Sequence, residues 1–263
     1  MNNPDISIST TIFGYEHDGG LDLIKCLEMI KASGFTMAEL SYKQTNIKAR
    51  AAQIRATGVK ILAIHGSLGM NAVSLDETER RAAVEAEYLR LEDTAPFAPC
   101  PYVVHYLDRF NDPAHGQQFH KSIEELYERS TQLGFNLAVE TAPYKPKINE
   151  RYPDSKEIAD FVRSFAKPDL NIIIDINHSN LHENLVKVCE NCRGIIAHVH
   201  MSDNHGAWED HLPPGEGNID FPEVFVALRA NGYTGPWNLE LHPKDGEITL
   251  PWLKQLKQKF CAL

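Results

Sequence analysis

Eight short apolar runs, separated by longer amphipathic or charged stretches, constrain this 263-residue chain more than any other feature. They are ISISTTIF (6–13), TMAELSY (36–42), KILAIHGS (60–67), YVVHYL (102–107), NLAVET (136–141), LNIIIDINHS (170–179), IIAHVHMSD (195–203) and PWNLELH (236–242). Their length and β-branched content read as buried strands. The intervening stretches read as helices. Asp22 to Ala32 places Leu23, Ile24, Leu27 and Ile30 at helical spacing, with Gly34 at the expected stop. Leu75 to Thr94 opens after Ser74 as an N-cap, Ser122 to Leu133 ends at Gly134, and Pro222 to Ala230 ends at Gly232. Strands alternating with about eight helices predict an α/β fold, a (β/α)8 TIM barrel forming a single domain over 1–263. A doubly wound open sheet is the alternative, but the first turn, FGYEHDGG, lacks its GxGxxG pattern.

Other classes drop out. No apolar run reaches the roughly 18 residues of a membrane span, and MNNPDISIST lacks the basic and apolar regions of a secretory signal. Five scattered cysteines do not make a disulfide framework and fit a reducing cytoplasm. The Cys189–Cys192 pair has no second pair with which to build a zinc knuckle and reads as chance. A net charge of −10 argues against a protein that coats nucleic acid.

Twelve histidines are more than solubility requires, and their placement is informative. At or near the ends of runs three to eight stand His65, His105, Glu140, Asp175 with His178, His200, and Glu240. From His65 to Glu240 is 175 residues over five steps, a mean of 35 per step, about one βαβ repeat. In a barrel these positions surround one mouth. Taken singly, a histidine at a strand end is ordinarily a satisfied structural residue, and Glu140 or Glu240 reads as a solvated strand end. Asp175, after three isoleucines, is less easily dismissed, because a buried carboxylate needs a partner. Six such ends together call for a divalent cation to neutralise them. The connection after His200, MSDNHGAWEDHLPPGEGNIDF, adds Glu209 and His211, two apart and able to point the same way in an extended loop, along with Asp203 and His205.

VETAPY, IIDINHSN, HVHMSDN, HLPPGEGNIDF and LELH, with HGS and HYLD before them, resemble the xylose isomerase-like barrel superfamily of sugar isomerases, epimerases and endonuclease IV. The resemblance implies a metal held by Glu140, Asp175, His200 and Glu240, with His178 contacting substrate or a second metal. It further implies, by similarity to endonuclease IV, that His65, His105, Glu209 and His211 extend the centre to two or three ions, with Glu209 where that family has Asp. The expected cofactor is therefore one to three divalent ions, Mn²⁺ or Zn²⁺, with Mg²⁺ or Co²⁺ as alternatives.

The implied activity is a metal-dependent isomerase or epimerase of a small sugar, sugar phosphate or keto-acid working through an enediolate. Glu140 and Glu240 form the acid/base pair and His178 orients a substrate oxygen. Ketose epimerases of this kind often carry an Arg soon after the seventh-strand His; MSDNHGAW has none, which leaves the substrate open. The alternatives are an endonuclease IV-like multi-zinc phosphodiesterase and a non-catalytic metal-binding barrel subunit. Against the first, GSLGMNAVSLD has no basic residue, and Arg109 and Lys145 are the only basic residues near the mouth on strands four and five. Against the second stands the intact Glu140/Glu240 pair. The expected partner is a small carbohydrate-like molecule, with no membrane and no nucleic acid, and a homo-oligomer is left open. Trp208 is expected to stack on a sugar or cover the mouth, His198 and His242 to be structural or supporting, and Trp237 and Trp252 to pack.

Overall fold

The computed structural model describes residues 5–16, 20–143, 145, 149–243 and 248–262. Parts of two sequence motifs, residues 17–19 of FGYEHDGG and Tyr144 of VETAPY, lie outside the described residues. Eight parallel strands close in sequence order: β1 (Ile6–Ser9), β2 (Met37–Leu40), β3 (Lys60–His65), β4 (Pro101–His105), β5 (Asn136–Glu140), β6 (Asn171–Asp175), β7 (Ile196–Met201) and β8 (Trp237–Leu239). β1 pairs with β8 through Ile6 and Trp237, so no edge is left open. The TIM barrel expected from the alternation of runs is the observed fold.

The helices among the described residues are α1 (Leu23–Ala32), α2 (Ile47–Ala56), α3 (Glu77–Thr94), α4 (Pro113–Gln132), α5 (Ser155–Ser164), α6 (Ile176–Asn180), α7 (Leu185–Asn191), α8 (Phe221–Ala230) and α9 (Leu250–Cys261). Two helix starts differ from expectation. α3 is capped by Asp76, whose side chain accepts from Thr78 and Glu79, and not by Ser74. α4 starts nine residues before Ser122, at Pro113, capped by Asp112. Its first two turns, PAHGQQFH, are polar enough to hide the period, although an Asp followed by Pro is an N-terminal signal in its own right.

Each strand is buried on both faces, as parallel barrel strands must be. Tyr102, Val104, Leu137, Val139, Ile172 and Ile174 point outward into the shell beneath the helices. That shell takes the apolar stripes of helices such as α5, which buries Ile158, Ala159 and Val162, at about 1.5–3 kcal/mol for each large aliphatic side chain. Val103, Ala138 and Ile173 form a separate apolar cluster with Ala197. Two residues further along the same strands, on the same face, stand His105, Glu140 and Asp175. Along β4, β5 and β6 the barrel interior is thus apolar at its waist and ionisable at its C-terminal rim, whereas Ser7, Glu39, His198 and Asn238 make the waist polar on β1, β2, β7 and β8. Cys189 and Cys192 are buried with Val188 in the outer core, and both are free thiols. Trp237 is buried and Trp252 packs against the core, both as expected.

Candidate metal centre

Strand register assembles the rim. His105 pairs with Glu140 across β4 and β5, and Asp175 with His200 across β6 and β7. Asp175 ends its strand and caps α6, its Oδ1 accepting the His178 backbone N–H at 2.8 Å, so the DINH segment turns His178 back over the barrel. At the middle of the rim, His200 Nδ1 lies 2.9 Å from Glu140 Oε1, 3.0 Å from Glu240 Oε2 and 3.9 Å from Asp175 Oδ2. Glu140 Oε2 lies 3.1 Å from His65 Nε2 and 3.4 Å from His105 Nε2.

The long connection after β7 completes the arrangement. Asp203 organises it: Oδ1 accepts from the backbone N–H groups of Asn204 and Ile219, and Oδ2 from those of Gly215 and Gly217. A Cβ on Gly217 would stand 2.3 Å from Asp203 Oδ1 and 2.2 Å from the Asn204 carbonyl oxygen, so this glycine is required by close approach. Asp203 and Leu212 exchange backbone hydrogen bonds of 2.8 and 2.9 Å, which folds Glu209 and His211 back over the mouth. His211 adopts φ 49°, and its Nδ1 lies 3.2 Å from the Glu240 carbonyl oxygen. Glu209 Oε2 is 3.7 Å from His178 Nε2. Asp203, with four backbone donors, is a scaffold; His205 is exposed.

All nine residues singled out at the rim converge. Donor atoms within 4.8 Å of one another define the groups His65/Glu140/His200/Glu240, Glu140/Asp175/His178, Asp175/His211/Glu240 and His178/Glu209/His211. His105 stands beside them through Glu140 and through ring contact with His65 at 5.1 Å. A residue that the sequence reading missed is Glu39 on β2. Fully buried, it lies 2.8 Å from His200 Nε2 and 3.3 Å from His198 Nε2, below the rim. His198 is thus a supporting residue, and the His242 ring lies tilted against that of His211, 4.2 Å between centroids. Trp208 is 56% exposed and does not line the cavity.

The donor set fits a cation. Glu140 Oε2 and Asp175 Oδ2 are buried without a hydrogen bond, Glu140 Oε2 having only the His65 and His105 imidazoles beside it, a costly state for a carboxylate oxygen unless positive charge is supplied. His65 and His178 each place Nδ1 2.8 Å from a carbonyl oxygen, of Gly66 and Thr141, which fixes the proton on Nδ1 and directs the Nε2 lone pair inward. His200 is arranged the other way round, with Nε2–H donating to Glu39 and Nδ1 facing the three carboxylates. The protein's own protons register the same demand for positive charge. Burial opposes a charged His200, yet Glu39, Glu240 and Glu140 drive its pKa well above the usual imidazole range. His65, against the same burial, is raised to about 9 by Glu140. Burial would lift Glu140 and Glu240, but the His200 charge holds both well below the ordinary carboxylate range. Asp175 is pushed well above it by burial and by the Glu140 and Glu240 charges. His178 and His105, lowered chiefly by burial, the latter to about 4, are neutral and free to ligate.

Above the rim lies a cavity of 330 Å³ bounded by Tyr42, His105, Arg109, Lys145, Glu209 and Glu240 among others. This is the small end of the ~300–1,000 Å³ typical of ligand cavities.

The sequence profile of the xylose isomerase-like TIM barrel family matches residues 25–258. The chain belongs to that family. Among curated relatives of this barrel, a 3-dehydro-D-guloside 4-epimerase of Escherichia coli is 37% identical over 101 residues, 36% of either chain. An uncharacterized protein of Methanocaldococcus jannaschii is 32% identical over 122 residues, 45% of this chain and 41% of its own. Both matches span well under two thirds of the relatives' lengths. The L-ribulose-5-phosphate 3-epimerase UlaE of Shigella flexneri matches over 84% of this chain and 82% of its own, at 24% identity. Solved structures agree on the fold. A D-tagatose 3-epimerase-like protein superposes with a TM-score of 0.80 at 23% identity, covering 98% of this chain and 97% of its own. The 3-keto-D-glucoside 4-epimerase YcjR of Escherichia coli does so with 0.80 at 21%, covering 99% and 100%.

Proposed function

We propose that this family member is a divalent-metal-dependent epimerase or isomerase of a small carbohydrate, transferring a proton beside a carbonyl. The observation that carries this reading is the pair of carboxylates, Glu140 and Glu240, placed within 3.0 Å of the same nitrogen, His200 Nδ1. Relatives named as sugar epimerases, one of them matched over most of its length, support it.

Glu140, Asp175, His200 through Nδ1, and Glu240 would hold the first ion. His65 and His105 with Glu140, and His178 with Glu209 and His211, offer places for a second and third. Oxygen-rich ligands with one imidazole suit Mn²⁺, Mg²⁺ or Co²⁺, and the histidine-richer places suit Zn²⁺. A divalent cation, when bound, supplies the charge that makes a C–H beside a carbonyl acidic enough for a carboxylate base. The chain's own residues do the rest. One of Glu140 and Glu240 removes the proton, and the other delivers one to the opposite face or the neighbouring carbon. His178, its Nδ1–H committed to the Thr141 carbonyl, turns Nε2 toward a substrate oxygen. The loop folded over the mouth by Asp203 limits access of water.

A second reading has its own observation: His178, Glu209 and His211 gather within 4.8 Å, which favours a multi-ion phosphodiesterase. The mouth argues against a nucleic-acid backbone. Of its two basic residues near β4 and β5, Lys145 is already paired with Glu209 at 2.5 Å.

The test is solvent exchange. In D2O, with the bound metal identified beforehand, a panel of ketoses, sugar phosphates and keto-acids should show deuterium at a carbon next to the carbonyl, lost in Glu140→Gln and in Glu240→Gln. Absence of exchange across the panel with metal bound overturns the reading, and chelator-sensitive nicking of abasic-site DNA supports the second one.

A further inference from the structure

We propose that Arg109 is an anion anchor in the cavity, so that the carbohydrate this site takes carries a carboxylate or a phosphate at one end of its carbon chain. This rests on the carbohydrate reading above and specifies its substrate class.

Arg109 lines the cavity yet is only 8% exposed. It is held rigidly from behind. Its carbonyl oxygen accepts from the backbone N–H groups of Glu150 at 3.0 Å and Arg151 at 3.3 Å, and its Nε donates to the Tyr106 carbonyl at 3.3 Å. The two terminal nitrogens of the guanidinium make no hydrogen bond among the described residues, nor are they fully buried. Four N–H bonds of this cavity-lining side chain therefore have no acceptor among the described residues.

The carboxylates that could neutralise Arg109 are committed elsewhere. Glu209 and Glu140 act on it only through space. Glu209 is tied to Lys145 at 2.5 Å, and Glu140 faces His200 and His65. Burial accordingly pulls the guanidinium below its ordinary pKa against the weaker pull of those two charges. Arg109 in turn acts on His105, which places its charge on the β4 side of the rim. Lys145 differs: its charge is already matched, so it contributes little to drawing an anion.

A buried guanidinium with an open fork is the usual partner of a planar carboxylate or of phosphate oxygens. An uncharged sugar would leave the cation unpaired in a low-dielectric cavity, a costly state. With one end held on the β4 side, the carbon chain would extend toward Glu140 and Glu240.

Isothermal titration of the metal-loaded protein with inorganic phosphate, D-glucuronate and D-fructose separates the sources. In Arg109→Gln, the affinity for an anion relative to that for fructose should fall about tenfold to a hundredfold, as expected for hydrogen bonds to a charged group. A fall confined to phosphate assigns a sugar phosphate, and a fall that includes glucuronate assigns a sugar acid. An unchanged ratio for both anions overturns the anchor, as does an equal loss for all three probes, which marks a merely structural role. Should Arg109→Gln fail to fold, Arg109→Lys, which keeps the charge and loses the fork, gives the same ratio test. Failure of the carbohydrate reading is separately visible, as absence of solvent exchange by the wild-type protein, whatever the titrations give.

Discussion

Glu39 Oε2 accepts the His200 Nε2–H at 2.8 Å from below the rim, and this fixes which nitrogen of His200 faces Glu140 and Glu240. A buried carboxylate behind an imidazole sets its tautomer and raises its basicity as a ligand. In Glu39→Gln the affinity for Mn²⁺ or Zn²⁺ should fall about 10- to 100-fold, with far-ultraviolet circular dichroism unchanged. Competition with a chromophoric chelator measures it; an unaltered affinity would remove Glu39 from any role in the centre.

His65 depends on its own support. Gly66, whose carbonyl oxygen lies 2.8 Å from His65 Nδ1, sits where a Cβ would stand 2.2 Å from Glu87 Oε1 and 2.9 Å from the Val103 carbonyl oxygen. Glu87 cannot easily yield, since it also accepts from Tyr102 Oη at 2.5 Å and the Ser67 backbone N–H at 3.0 Å. Gly66→Ala should lower stability by about 1–3 kcal/mol, the usual range for an overpacked core, read as a shift in the urea midpoint. A midpoint equal to wild type would mean that the loop has room that the backbone geometry does not show.

Asp203 makes a different prediction, because four backbone donors converge on one carboxylate. Asp203→Ala should leave the barrel strands protected while the amides of Gly215, Gly217 and Ile219 exchange faster by about tenfold or more, one lost hydrogen bond to a charged acceptor being worth about 1.5–3 kcal/mol. Hydrogen exchange followed by mass spectrometry resolves the two regions. Equal protection in both proteins would show that the loop is held by something other than this carboxylate.

Acid sensitivity should trace in part to Glu16, remote from the rim. Burial pulls its pKa upward, but the hydrogen bonds from Arg50 and from the backbone N–H groups of Leu23 and Thr45 lower it below the usual value of 4.5. Because the folded value lies below the unfolded one, the stabilisation is present above about pH 4.5 and is lost as pH falls through the folded pKa. The stability difference between wild type and Glu16→Gln should therefore be widest near neutrality and narrow as pH falls below about 4.5, in urea midpoints taken across that range. A difference that grows on acidification would reverse the sign argued from the Arg50 pair.

The rim was legible in sequence because its residues end strongly apolar runs at a repeat of about 35 residues, and no surface role explains such a spacing. Glu39 escaped because β2 is buried on both faces, so MAEL carries no alternation to mark the glutamate as inward. Only its company, one acid in a four-residue strand, was a signal. Asp203 was visible as a candidate but its role was not: four backbone partners come from residues 204 to 219, and only the folded loop shows that they fill it. Arg109 was noticed as a charge near the mouth, while the pairing of Lys145, and not Arg109, with Glu209 is a contact no spacing rule predicts.

The binding of Mn²⁺ and Zn²⁺ per chain, measured by elemental analysis after equilibrium dialysis of wild type and Glu140→Gln, tests the centre most directly. Wild type should retain at least one ion per chain, and the variant, folded but missing a carboxylate that faces His65, His105 and His200 alike, should lose it. A wild-type chain that retains neither ion, or a Glu140→Gln chain with full occupancy, would contradict a cation held at this rim.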